Sequence, residues 1–133
     1  MCGYYYSYNI PVKKVSDSIL LRGPEQFKKL DVENEHFGHA LLSTRGTSPQ
    51  QPIQNKDGTL VYNGSTYNSK NNDTQWIIDN LDQTVETTVD LIKSLVGEYS
   101  LTYVTDTHIV FSVDQFSSKN LFFYYDKETR SFI

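Results

Sequence analysis

The feature that most restricts the fold of this chain is a change of hydrophobic period. From Asp73 onward Ile77, Ile78, Leu81 and Val85, then Val89, Ile92, Leu95 and Val96, recur three or four residues apart. That spacing lays them on one stripe of a helix. Asp73 or Thr74 is placed to cap its start and Gly97 to stop it, with a break near Asp82 that would split the region into two helices. On either side the pattern is that of strands. Residues 3–10 set Tyr4, Tyr6 and Tyr8 against Tyr5 and Ser7, apolar enough on both faces to predict burial on both, until Pro11 ends the run.

Residues 12–21 place Val12, Val15, Ile19 and Leu20 on roughly one stripe and predict a short helix, closed by Gly23-Pro24. Two extended segments follow, residues 25–32 and 36–44. After a loop rich in Gly, Pro, Ser and Gln, Asp57-Gly58 stands between extended runs as a two-residue hairpin signal. The tail returns to strands at residues 98–104, 108–114 and 120–125, with turns at 105–107, 115–118 and 126–128. Strands, a short helix, strands, a long helical region and a strand meander make an α+β layout with mostly antiparallel pairing. At 133 residues, without an internal repeat or linker, the expectation is one domain over residues 1–133.

Charge and apolar runs exclude some functions. A net charge of -4 argues against a nucleic-acid partner, whose phosphates demand a basic face. Polar residues break every apolar run well short of the roughly 20 residues that cross a bilayer, and no basic stretch leads into an apolar one as in a secretory signal. With one cysteine there is no internal disulfide, so the expected compartment is the cytoplasm.

That cysteine is Cys2, behind the initiator methionine and ahead of Gly3. Removal of Met1 would give one residue both a thiol and a free α-amine. A thiol attacks only as thiolate, and an α-amine titrating at about 7.7 to 8.0 accepts its proton near neutrality. Gly3, having no side chain, would leave room for a substrate. A cysteine at position 2 is equally a matter of chance, and Asn63-Gly64, which can aim a side-chain amide and a backbone N–H at one oxyanion, is equally a turn. Arg22-Gly23-Pro24 reads as a helix stop, and Asp73 as a cap. His36, His39 and His108 lack cysteine partners and ligand spacing, so no metal site is assigned, and His39 reads as a hydrogen-bonded packing residue. Asp79, Asp82, Glu86 and Asp90 read as the wet face of the helical region.

Taken in order, MCG, LRGP, GHALLS, QQPI, VYNGSTYN, NNDTQ, GEYSLTYV and VDQF resemble the class II glutamine amidotransferases, most closely the N-terminal glutaminase domain of asparagine synthetases and their asparagine-synthetase-domain-containing relatives. The resemblance implies a four-layer αββα sandwich of two antiparallel sheets, the N-terminal-nucleophile hydrolase fold. It implies release of ammonia from glutamine for an ATP-dependent synthetase, a partner subunit or a further domain, with ATP and magnesium bound there and no cofactor in this domain. On that likeness Cys2 is the nucleophile, Asn63 and Gly64 form the oxyanion hole, Asp73 holds the substrate ammonium, and Arg22, Gly23 and Gly3 support the nucleophile. The arginine that usually receives the substrate carboxylate is here Leu41, leaving Arg45 to reach in from the next loop. Ser65 replaces the usual acidic residue after the Asn-Gly pair, and the late motif keeps only Asp114 and Leu121. The alternative is a degenerate domain kept for docking or regulation; a third reading is hydrolysis of another amide.

Overall fold

The computed structural model describes residues 2–44 and 48–133. In chain order they form β1 (Gly3–Tyr8), α1 (Asp17–Leu20), β2 (Gln26–Val32), β3 (Glu35–Leu41), β4 (Ile53–Gln54), β5 (Gly58–Thr66), α2 (Asp73–Asp79), α3 (Val85–Ser94), β6 (Gly97–Thr105), β7 (Ile109–Val113), β8 (Tyr125–Asp126) and β9 (Ser131–Phe132). The strands make two antiparallel sheets, one ordered β2-β3-β1-β9-β8 and the other β4-β5-β6-β7.

Alternation along the strands decides what each sheet buries. Tyr6, Phe37, Val61 and Val104, with Tyr4, Tyr8, Leu30, Ile109 and Phe132 around them, pack between the sheets. The opposite face of the second sheet offers Leu60, Tyr62, Tyr99, Leu101 and Tyr103 to the helical stripe, where Ile77 and Ile78 are fully enclosed and Trp76, Leu91, Ile92 and Leu95 flank them. Burying a side chain of that size stabilises the fold by roughly 1.5–3 kcal/mol, so this contact fixes α2 and α3 on the sheet. The outer face of the first sheet carries Tyr5 over Gly38 and Gly3 against Ile19 of α1. Among the described residues the layers are therefore helix, sheet, sheet and one four-residue helix.

Several sequence expectations change here. The first helix is shorter than residues 12–21, because Ser16 takes the N-cap and its side chain accepts the N–H of Ser18, leaving Val12 and Val15 outside. The long helical region does split, at residues 80–84, and its cap is Asn72, whose Oδ1 accepts the N–H of Gln75, while Asp73 lies in the first turn. The hairpin between β4 and β5 is centred on Lys56-Asp57, since Asn55 N donates to Gly58 O and Asn55 Oδ1 accepts the N–H groups of Asp57 and Gly58. Gly97 does not stop α3, whose C-cap is Leu95, but opens β6. The tail is not a simple meander: β7 stays in the second sheet while β8 and β9 cross to the first, and residues 120–124 form no strand.

Candidate active site

Cys2 lies immediately before β1, and the alternation that turns Tyr4 and Tyr6 toward the second sheet, carried one residue back, turns it the same way. Its backbone nitrogen donates to Asn63 Oδ1 across the two sheets at 3.0 Å. The sulfur lies 3.5 Å from the N–H of Leu42, a donor to it, and 3.7 Å from the Leu42 carbonyl. Arg22 Nε donates to the Cys2 carbonyl at 3.4 Å. The chain thus grips the peptide of residue 2 on both sides and leaves the sulfur beside a backbone donor.

The supporting glycines act by close approach. A Cβ on Gly23 would lie 2.1 Å from the Ala40 carbonyl, so the turn after α1 can sit on β3 only with glycine there. A Cβ on Gly3 would come within 2.6 Å of Ile19 O. The Cβ side of Gly3 is therefore filled by α1, while its backbone borders a large, mostly apolar space of about 560 Å³ beside β1.

Asn63 is held through its neighbour. Tyr62 donates its N–H to Gln51 Oε1 at 2.6 Å, its hydroxyl to Asp73 Oδ2 at 3.0 Å, and its carbonyl meets His39 Nε2 at 3.2 Å. β4 is too short to reach this position: Ile53 faces Leu60, so the antiparallel register would put residue 51 opposite Tyr62, and Gln51 supplies there with its side chain the acceptor that a backbone would have given. Burial pushes the His39 imidazole down to about 4, and the Tyr62 carbonyl only partly opposes this. The ring is therefore neutral at physiological pH, its Nε2–H donates to the carbonyl, and its Nδ1 is buried with no partner among the described residues. His39 is a packing residue that also ties one sheet to the other.

A small cleft of about 40 Å³ opens beside the sulfur, with Cys2, Leu41, Leu42, Gly64, Thr66 and Asp73 among its walls. Asp73 accepts the N–H of Thr66 at 3.1 Å and of Thr74 at 2.9 Å besides the Tyr62 hydroxyl. Thr66 Oγ1, wholly buried, has no partner among the described residues. Ser65 lines the same cleft. None of the described wall residues is a lysine or arginine, and Leu41 is buried in the wall. Arg45 lies outside the described residues.

The structure thus brings together Cys2, Asn63, Gly64 and Asp73, with Arg22, Gly23 and Gly3 behind the nucleophile. Sequence reasoning missed Gln51 as a positioning residue. Its signal was the short glutamine-proline stretch QQPI ahead of a strand, where Pro52 cannot give a ladder N–H. It also kept Asp114 only as a remnant of a motif. This residue is buried and its carboxylate accepts the N–H groups of Tyr99, Phe116 and Ser118 and the Ser118 hydroxyl. Burial pushes that carboxyl up, but the four donors outweigh it and hold it below the usual range.

His36 pairs with Asp31 at 2.8 Å, and His108 lies among Thr105 and Thr107. No group of three His, Cys, Asp or Glu side chains suited to a metal occurs among the described residues. No described helix is long and apolar enough to cross a membrane. No family model, curated protein or solved structure matches the chain.

Proposed function

We propose that the chain is a glutaminase-type amidohydrolase domain of the N-terminal-nucleophile class, built as an αββα sandwich, that releases ammonia for an ATP-dependent amide-forming synthetase. One observation carries this reading: Cys2 N and Asn63 Oδ1 meet at 3.0 Å across the two sheets, with the sulfur and Asp73 in the wall of the same cleft. With Oδ1 turned to the α-nitrogen, the Nδ2 end of Asn63 and the N–H of Gly64 are the groups left for an anion.

Once Met1 is removed, the α-amine takes the thiol proton and the thiolate forms a bond to the amide carbon of glutamine. The oxyanion collapses, the C–N bond breaks, and the α-ammonium returns its proton to the leaving ammonia. Water then cleaves the thioester, giving glutamate and restoring the thiol. Asp73 receives the substrate ammonium. Arg45 receives the carboxylate. Neither ATP nor magnesium takes part in these steps; both belong to the synthetase, and this half of the reaction is assigned to the cytoplasm.

A second reading, a catalytically degenerate docking module, is favoured by Leu41 in the cleft wall and the lack of a cation among the described wall residues. Ammonia release from glutamine by wild type and Cys2→Ala, after intact mass shows Met1 absent, decides between them. Release that falls at least a thousandfold in Cys2→Ala is the expected result. A wild type that is folded, processed and silent, and whose sulfur an electrophilic glutamine analogue does not label, removes the glutaminase.

A further inference from the structure

The second sheet is extended at two places by side chains in the position of strands. One is Gln51, which takes the Tyr62 N–H beyond the end of β4. The other lies at the opposite edge of the same sheet, where β7 ends. Ser100 faces Val113, so the antiparallel register would put Tyr99 opposite Asp114. Asp114 N does donate to the Tyr99 carbonyl at 3.0 Å. The chain then turns, and the Asp114 carbonyl that would have returned the bond accepts the Ser117 N–H at 2.9 Å. Asp114 Oδ2 takes its place and accepts the Tyr99 N–H at 3.1 Å. The N–H groups of Phe116 and Ser118 and the Ser118 hydroxyl hold the carboxylate there.

Tyr99 in turn bears on the candidate site, because it faces Gly64 across the β5–β6 ladder. Its N–H and carbonyl both bond to residue 114, on the β7 side, so Tyr99 and Gly64 form a pair whose backbone groups point away from each other. The Gly64 N–H therefore points along the edge where Tyr62 N reaches Gln51 and Thr66 N reaches Asp73, toward the cleft that Gly64 lines. A Cβ on Gly64 would lie 2.7 Å from both Cα and Cβ of Tyr99 and 2.3 Å from the Glu98 carbonyl. The two backbones are thus in close contact, and a shift of Tyr99 is passed directly to Gly64.

We propose, on the reading of Gly64 as an oxyanion donor, that Asp114 is a positioning residue for the anion pocket, acting through Tyr99 to fix the direction of the Gly64 N–H. A donor aimed at a developing charge is worth most when its direction is set before the reaction begins. An ionised acceptor also makes a stronger bond to the Tyr99 N–H than the neutral carbonyl it replaces. Gln51 and Asp114 thus grip the Tyr62–Gly64 segment from the two edges of one sheet, the first directly and the second through β6.

The test is Asp114→Asn in the processed protein. Asparagine keeps the shape but offers one acceptor oxygen, so its N–H₂ meets donors that the carboxylate satisfied. Glutamine turnover and the amide resonance of Gly64 in isotope-labelled protein are read below the melting temperature. The expected kcat is about 10²-fold lower, the cost of a catalytic group misplaced by ~1 Å. KM should stay within about twofold, alkylation of Cys2 by iodoacetamide should persist, and the Gly64 resonance should move. Asn55→Ala breaks hydrogen bonds to Ile78, Leu81, Asp57 and Gly58 at the other end of β5. It controls for stability alone: melting should fall while kcat and the Gly64 resonance hold. If Asp114→Asn does not fold, Asp114→Glu, which keeps the charge and displaces it by one methylene, is read in the same way. A Gly64 resonance unmoved in the Asp114 variant overturns the proposal, and so does a kcat that falls no further than in Asn55→Ala. A wild type that is folded, processed and silent removes the glutaminase reading instead, and the Gly64 resonance alone then decides whether Asp114 fixes that amide.

Discussion

Cys2 stands between two spaces of opposite character. In the polar cleft the chain answers most of its own needs: Asp73, Gln51 and His39 between them bind the three polar groups of Tyr62, and the Thr66 hydroxyl and His39 Nδ1 are left over among the described residues. Along the larger space beside β1, residues 3–7 have no ladder partner on the side away from β3 among the described residues. Buried polar groups cost free energy when unpaired, so the cleft is preorganised by this chain, whereas the β1 edge beside the larger space has no strand paired to it among the described residues. The same class of substitution should therefore have opposite results on the two sides.

The largest effect belongs to the reactive centre, where Asn63 meets Cys2. Asn63→Ala should lower ammonia release about 10²–10³-fold, the usual cost of an oxyanion donor, while alkylation of Cys2 by iodoacetamide persists. Unchanged turnover would detach the cleft from catalysis and leave the contrast purely structural.

Next comes acid. The folded protein keeps His39 neutral down to about 4, whereas the unfolded chain protonates it near its ordinary 6.5. The unfolded state then binds more protons, so stability falls as pH drops from about 6.5 to about 4 and levels off below. The contribution is on the order of 3 kcal/mol. Urea unfolding across this range should show a shallower fall for His39→Gln, which keeps a donor for the Tyr62 carbonyl. An identical slope in both proteins would mean that His39 does not tie the sheets as described.

Gln51→Leu should cost about 1–3 kcal/mol, because the Tyr62 N–H loses its acceptor in a buried site, and it should lower turnover by letting Asn63 shift. Thermal unfolding and turnover measure both; a loss of stability without a loss of rate would separate the support from the chemistry. The smallest effect lies beside the larger space. Thr102→Val removes a hydroxyl that has no partner, so its stability should stay within about 0.5 kcal/mol of wild type. A loss as large as that of Gln51→Leu would show that this side is as self-contained as the cleft.

Much of this was legible in the residues. The 3.6-residue stripe of Ile77, Ile78, Leu81 and Ile92 located the helices because one face had to be buried, and the alternating tyrosines of β1 did the same for a two-faced strand. Boundaries were less legible: Ser16 and Asn72 captured the caps with local side-chain bonds that an apolar pattern does not record. Residues 120–125 read as a strand from their aromatic run, yet only Tyr125 enters one. A strand needs a ladder partner as well as a propensity, and residues 120–124 line the larger space beside β1, where none is present.

The order of residues by itself determined an α+β chain of mostly antiparallel strands with an amphipathic helical region, since the hydrophobic period of each segment is a local property that burial must satisfy. It also set Cys2 beside Gly3 and Asn63 beside Gly64. Only the tertiary structure decided that residues 61 apart meet at 3.0 Å, that Gln51 stands in for a missing strand, and that α1 fills the side of Gly3. Such contacts depend on register between sheets, and register is a sum over many weak pairings that no short stretch of sequence contains.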